Sequence, residues 1–314
     1  MKHISELLPA VVQPETIAPL TPIQARLRTM PVQDEPDDVL YQHTVLCQTS
    51  MPYRDPGDEV RLWERDNGQI SLLLQAGQLL DPSTSKFVSL GLPYGPKPRL
   101  VLCHLNAEAI RNQSPAIELE DSLTAFVKRT LGLNDGGRSI RSVKGQLNRL
   151  AAADFRFGMI QGDRAITVKT PVLTRVELWT PRDARQRVLW PTTVQFSADY
   201  FASLMYHAVP LVEGALARLS HSAMALDIYT WLAQRLHRIP PAKPAFVPWA
   251  ALRQQFGPEH SRMTKFRHNF LIALHQVHRV YRRARFHIDA GGMRLYSSPP
   301  PVPPRRVRIP FPST

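Results

Sequence analysis

The chain has 314 residues, 43% of them hydrophobic, with a formal net charge of +13 and a pI of about 10.2. That length is enough for two ordinary domains with a sizeable core, while no run of 18 apolar residues exists to span a membrane and the two cysteines, Cys47 and Cys103, are too few and too far apart for a disulfide framework or a zinc finger. So large a positive excess calls for a polyanionic partner, nucleic acid before an acidic membrane.

Residues 1–60 hold nine acids against four bases, so the positive excess lies entirely beyond them. The first 40 residues contain six prolines and no sustained period, which predicts a mobile acidic leader over 1–42. Its opening, MKHISELLPAVVQPE, is broken by Glu6, Pro9 and Pro14 and does not read as a signal peptide; a cytoplasmic protein is expected. TVLCQTS (44–50) reads as a strand, and VRLWERDNGQISLLLQAG (60–77) as a hairpin around Asn67-Gly68, a type I′ turn pair. After the loop LPYGPKP (92–98), a buried helix is predicted over 99–113, a short strand over 116–120, a helix over 121–133 and a turn over 134–137. A third helix follows over 139–153, with Ile140, Val143, Leu147 and Leu150 on one face, then two strands over 154–169.

The second half repeats that order. After a strand and turn near 177–191 and helices over 197–207 and 210–219, SHSAMALDIYTWLAQRLHRI (220–239) is apolar on most of its surface and reads as a core helix. Trp231, Trp249 and Tyr229 lie on apolar faces and are expected in the core. AFV (245–247) is a short extended piece, and PWAALRQQF (248–256) a helix with Pro248 at its first position. KFRHNFLIALHQVHRVYRRARFHIDAGGMRLY (265–296) then gives a basic helix and a hairpin turning at Gly291-Gly292. The tail SSPPPVPPRRVRIPFPST carries seven prolines and three arginines, Arg305, Arg306 and Arg308, and reads as extended.

Helix, short strand, helix, third helix and two-stranded hairpin therefore occur twice, in element order and not letter by letter. That is the order of the winged variant of the helix-turn-helix, whose third helix enters the major groove while the hairpin wing reaches flanking backbone. The predicted fold is α+β and mostly helical, with two tandem winged-helix domains carrying short β-hairpin wings. The expected boundaries are 1–42 for the leader, 43–190 and 191–298 for the two domains, and 299–314 for the Pro/Arg-rich tail.

On a helical wheel of the basic segment, Phe266, Phe270, Ala273, Leu274, Val277, Val280, Tyr281 and Ala284 share one arc, and Leu271 and Ile272 are the only large apolar residues outside it. Ser261 is the expected N-cap. No acid falls between Arg262 and Ile288, whereas a merely solvated face mixes signs. The expected DNA-binding residues are Arg262, Lys265, Arg267, His268, His275, Arg279, Arg282 and Arg283 here, with Arg294 beside the wing. In the first half they are Arg141, Ser142, Gln146, Asn148 and Arg149, because Arg, Asn and Gln read guanine and adenine edges.

Catalytic chemistry is not legible. The chain contains no Gly-Lys pair and hence no P-loop, and no two histidines are separated by one residue, the metal pair of a strand-nicking enzyme. His275 and His278 have no nearby carboxylate to complete a metal site, and Asp121 beside Glu118 and Glu120 is explained by helix capping. No catalytic residue, metal or cofactor is expected.

The blocks VLCQTSMPYRDPG (45–57), GLPYGPKPRLVL (91–102), HAVPLVEGALARLSHSAMALDIYTWLAQRLHRI (207–239), VPWAALRQQFG (247–257) and SSPPPV (297–302) resemble plasmid-encoded RepA-type replication initiators of bacteria over about residues 43–302. The resemblance implies binding to double-stranded plasmid origin DNA at short direct repeats, opening of the duplex, and recruitment of the host initiator and replicative helicase. It also implies two winged-helix domains, monomers on the origin and homodimers that repress their own promoter. It favours an initiator over a winged-helix transcriptional regulator or a nicking enzyme. No membrane partner is implied.

Overall fold

Alternating and helical apolar periods build a mixed α/β architecture. The computed structural model describes residues 39–81, 84–119, 127–128, 137–161, 164–169, 171–177 and 193–303. Nearly all of the expected leader, the 121–133 helix except 127–128, the 134–136 turn, most of the 177–191 segment and the Arg305–Arg308 stretch of the tail lie outside them.

Among the described residues there are seven α-helices and fourteen strands in five small sheets. In the first half, β1 (Val39–His43) precedes the hairpin β2 (Leu62–Asp66) and β3 (Ile70–Gln75), then a small hairpin of β4 (Gln78–Asp81) and β5 (Lys86–Ser89). Helix α1 (Pro96–Asn112), β6 (Ala116–Glu118), α2 (Gly137–Ala152), β7 (Asp154–Gln161) and β8 (Arg164–Lys169) follow. The chain continues through β9 (Leu173–Glu177), β10 (Thr193–Phe196), α3 (Ala198–His207), β11 (Ala208–Val212) and α4 (Glu213–Leu219). The last third holds α5 (Ala223–Arg235), β12 (Ala245–Pro248), α6 (Trp249–Phe256), α7 (Met263–Val280), β13 (Phe286–Ile288) and β14 (Gly292–Leu295).

Most predicted helices form. The segment 44–50 does not become a strand; it coils into turns, because local side chains take up its backbone groups. The Thr49 hydroxyl donates to the Val45 carbonyl at 3.0 Å, and His43 Nδ1 accepts from the Val45 amide at 3.3 Å. The 60–77 hairpin forms, but only Gly68 has a positive φ, 88°. A type I′ turn needs two such residues; here the Asn67 side chain accepts from the Gln69 and Ile70 amides instead. Residues 208–212, expected to be partly helical, form β11 and pair with β1.

The first-half hairpin β7–β8 does not stand alone. It joins β2–β3 in a four-stranded antiparallel sheet, order β2-β3-β7-β8, because their alternate apolar residues coincide: Leu72 faces Phe157 and Leu74 faces Phe155. Leu72, Leu74 and Phe155 are fully buried. Strand β6 pairs with β10 and not with this hairpin.

In the last third, β12 pairs with β14 and β14 with β13, so the strand before α6 closes onto the hairpin after α7. Helix α5 is buried on nearly every face, opened by the Ser222 side chain accepting from the Ala225 amide. Trp231 meets Phe256 edge-on at 5.3 Å, and Trp249 meets Phe270 edge-on at 5.9 Å. Such pairs add about 0.5–1.5 kcal/mol beyond area burial. Trp231, Trp249 and Tyr229 are core residues, as their apolar faces predict.

The described residues fall in one compact unit. The boundary expected at 190/191 lies outside the described residues, but sequence-distant halves share sheets through β1–β11 and β6–β10. A buried ion pair also joins them. Arg99 of α1 donates to both oxygens of Asp227 on α5, at 2.7 and 2.8 Å, and to the carbonyls of Met51 at 2.6 Å and Gly95 at 2.7 Å. Burial pushes the Asp227 carboxyl up, and the Arg99 guanidinium pulls it back.

Candidate nucleic-acid interface

Helix α7 divides as its wheel predicts. Phe266, Phe270, Ala273, Leu274 and Val277 are buried, each large one contributing about 1.5–3 kcal/mol. Arg262, Lys265, His268, His275, His278 and Arg279 are exposed, and Arg267 is half-buried. The Arg267 guanidinium lies 4.7 Å from the Trp249 ring centroid, a cation–π contact that orients it beside the β13–β14 hairpin. The His278 imidazole meets Phe286 edge-on at 5.3 Å. Burial, then the neighbouring His275 and Arg282, lower its pKa and disfavour its charged form.

Two details differ from the wheel. The N-cap is Arg262, not Ser261, and makes no side-chain capping hydrogen bond. The helix stops at Val280, so Arg282, Arg283 and Arg285 sit in the turn that follows and not on the helix. Tyr281 breaks the helix: its ring is buried and its hydroxyl donates to the Pro299 carbonyl at 2.7 Å. The three arginines remain exposed and continue the cationic surface toward the hairpin.

The hairpin tip is Asp289–Gly291. Asp289 Oδ1 accepts from the Gly291 and Gly292 amides, both at 2.9 Å. Neither glycine has a positive φ. Gly292 is needed for close approach: a Cβ there would lie 2.3 Å from the Val247 carbonyl oxygen of β12. Arg294 is exposed, with its guanidinium 5.6 Å from the Phe246 ring centroid and 3.9 Å from Asp289 Oδ2.

The first-half residues are placed differently. Ser142 is exposed and accepts from Lys97 Nζ at 2.6 Å. Gln146 is 6% exposed, its Oε1 accepting from the Tyr94 amide at 2.9 Å. Arg149 donates to the Leu92 carbonyl and to Asp58, both at 3.2 Å, sits 3.6 Å from Asp55 and covers the Tyr94 ring at 5.3 Å. Asn148 is half-buried, and its Oδ1 has no hydrogen-bond partner among the described residues. The Arg141 side chain lies outside the described residues. Gln146 and Arg149 thus hold the 91–95 loop against α2.

The structure brings together Arg262, Lys265, Arg267, His268, His275 and Arg279 on one helix, with Arg282, Arg283 and Arg294 following toward the hairpin; it does not join Gln146, Asn148 and Arg149 to them. What sequence reasoning missed is the inward engagement of Arg149, signalled only by the acids of the RDPGD stretch (54–58). Both cysteines are buried and free, and burial pushes the Cys103 thiol up to about 12, far from a reactive thiolate. Among the described residues, no group of three or more His, Cys, Asp or Glu side chains converges as metal ligands, and no helix is long and apolar enough to cross a membrane.

A family model described as "Plasmid encoded RepA protein" matches residues 92–249, half of the chain. The match runs from the 91–95 loop to the start of α6; α7 and the hairpin lie beyond it. No curated protein sequence matches significantly. Two solved structures are similar to the chain. One, of selenomethionine derivatives of domain 2 and domain 3 of RctB, has a TM-score of 0.49 and 10% identity, covering 78% of this chain and 93% of that one. The other, of RctB domains 2–3, has a TM-score of 0.46 and 10% identity, covering 80% and 94%.

Proposed function

The chain belongs to the plasmid-encoded RepA family of plasmid replication proteins, and from that premise we propose that it initiates replication by binding double-stranded origin DNA through α7 and the β13–β14 hairpin. The observation that carries the reading is the outward face of α7. It is basic, without an acid from Arg262 to Ile288, and adjoins a hairpin whose tip is flanked by Arg267 and Arg294.

In this reading α5, β12, α6, α7 and the closing hairpin form a winged helix, with α7 in the major groove and the hairpin as the wing on flanking backbone. Lys265, Arg279 and the arginines after Tyr281 meet phosphates or base edges. The first half, with α1, β6, α2 and β7–β8 in the order of a second winged helix, adds a lesser contact through Ser142 and Arg141, since Gln146 and Arg149 are engaged with the 91–95 loop. The protein acts in the cytoplasm, as a monomer on direct repeats. It opens the origin and recruits the host initiator and replicative helicase, and a homodimeric form represses its own promoter. It has no catalytic activity, so supercoiled origin DNA stays unnicked with Mg²⁺ or Mn²⁺.

The test is a plasmid carrying only this gene and its flanking DNA, with footprinting of the full-length protein on that DNA. Autonomous replication and protection over non-palindromic direct repeats are expected. Protection centred on an inverted repeat would instead indicate a two-fold dimer, and absence of any footprint would refute the origin-binding reading.

A further inference from the structure

Charge does not account for every residue on the outward line of α7. Ile272 lies at its middle, 38% exposed. Its neighbour Leu271, the other large apolar residue off the buried stripe, packs against the core, whereas Ile272 is not among the residues that do. At 3.6 residues per turn, Ile272 falls within about 20° of Lys265 and Arg279 and about 40° of His268. It is therefore a lone branched aliphatic side chain in a row of basic ones, almost opposite Phe270.

An exposed isoleucine is not unusual by itself. Its surroundings limit what it can meet. The cations around it disfavour an apolar protein partner, which would have to bury several charges to reach one side chain. A polyanionic duplex suits those cations. Within the major groove, the one apolar group that projects from the base edges is the C5-methyl of thymine; the other features that distinguish the base pairs there are hydrogen-bond donors and acceptors. A helix whose flanking cations hold phosphates on either side presents its central outward residue to the base edges.

We propose that Ile272 is a specificity-determining residue that reads a thymine methyl group in the recognition site. This rests on the DNA-binding reading above and adds a sequence requirement to it: thymine at one or two positions under the centre of α7, recognised by apolar contact and not by a hydrogen bond.

Full-length protein is used to select bound duplexes from a random-sequence pool. The selected site is then synthesised with each thymine replaced in turn by uracil, which pairs identically but lacks the methyl group. Wild type should lose affinity about three- to five-fold at one or two positions, the effect of uncovering one methyl-sized group, and be indifferent elsewhere. Ile272→Ala, at an exposed helical position where alanine is well tolerated, should bind the thymine and uracil duplexes equally at those positions. Ile272→Val should keep the discrimination. Wild-type indifference to every uracil replacement, or an undiminished effect in Ile272→Ala, overturns the proposal while leaving DNA binding intact. Failure to select any duplex overturns both readings.

Discussion

Arg149 and Arg279 both come from helices expected to face DNA, but removing them should have opposite signatures. Arg149 is only 19% exposed. Replacement by alanine deletes a charged hydrogen bond to the Leu92 carbonyl, worth about 1.5–3 kcal/mol. It also removes a cation–π contact with Tyr94, about 0.5–1 kcal/mol, and ion pairs to Asp55 and Asp58, themselves 46% and 76% exposed and worth little. The loss should be roughly 2–4 kcal/mol, lowering the melting temperature by about 3–6 °C at this size. Affinity of the folded fraction for origin DNA should barely change. Arg279 is exposed, so Arg279→Ala should leave melting within about 0.5 kcal/mol of wild type and weaken binding by about 1–3 kcal/mol if it reads a base. Differential scanning fluorimetry and gel-shift titration of the two variants decide the matter. An Arg149→Ala protein that melts normally yet binds weakly would refute the argument, as would an Arg279→Ala protein with unchanged affinity.

Three further outcomes are expected. The eight Arg and Lys side chains Arg262, Lys265, Arg267, Arg279, Arg282, Arg283, Arg285 and Arg294 lie on α7, its flanking residues and the β13–β14 hairpin; if half to all meet phosphates, a log–log plot of affinity against salt should have a slope of about −4 to −7, and a flat plot would exclude a DNA duplex as the partner. His43 is held neutral, its pKa lowered to about 4 by burial and by His207, with Nδ1 already accepting from the Val45 amide. Its stabilising contribution is complete above about pH 6.5 and is lost as pH falls toward 4, about 3 kcal/mol in all, so chemical denaturation at pH 7 and 5 should show a stability loss that His43→Gln reduces. Arg99→Met should cost about 3–5 kcal/mol by stranding Asp227, and adding Asp227→Leu should recover only part, since the Met51 and Gly95 carbonyls still lack their donor; additive losses in denaturant unfolding would mean the pair is not coupled.

The sequence disclosed α7 well because its period is self-contained: five stripe residues at helical spacing need only one core to face. Its end was misplaced because Ala284 is buried too, which keeps the period alive on the wheel after Tyr281 has turned the chain. The 44–50 segment looked like a strand because Thr44, Val45, Leu46 and Cys47 are strand-like residues; the hydrogen bonds of His43 and Thr49 that coil it come from side chains, which periodicity does not register. On α2, the wheel correctly separated Val143, Leu147 and Leu150 as buried. It assigned Gln146 and Arg149 to solvent because nothing in the helix itself announces that the 91–95 loop, some fifty residues earlier, returns to cover that side. The partners of β6 and β7 were illegible for the same reason. Pairing across 70 or more residues depends on which apolar faces meet, not on the strands' own composition.

Gly292 lets two backbones touch where any side chain would hold them apart. The Trp249 amide donates to the Gly291 carbonyl at 3.1 Å, and the Trp249 indole donates to the Asp289 carbonyl at 3.3 Å. Both ends of the tip are therefore fastened to the start of α6, and Arg267 stacks on the same tryptophan. Such a hairpin cannot swing independently of α6 and α7. Its conformational entropy is lost when the chain folds, not when a partner is met, so helix and hairpin form a preorganised calliper of fixed gape. A calliper measures as well as grips: if the partner is the proposed DNA duplex, one whose minor groove is too wide or too narrow beside the site would be rejected by shape alone, without any base being read.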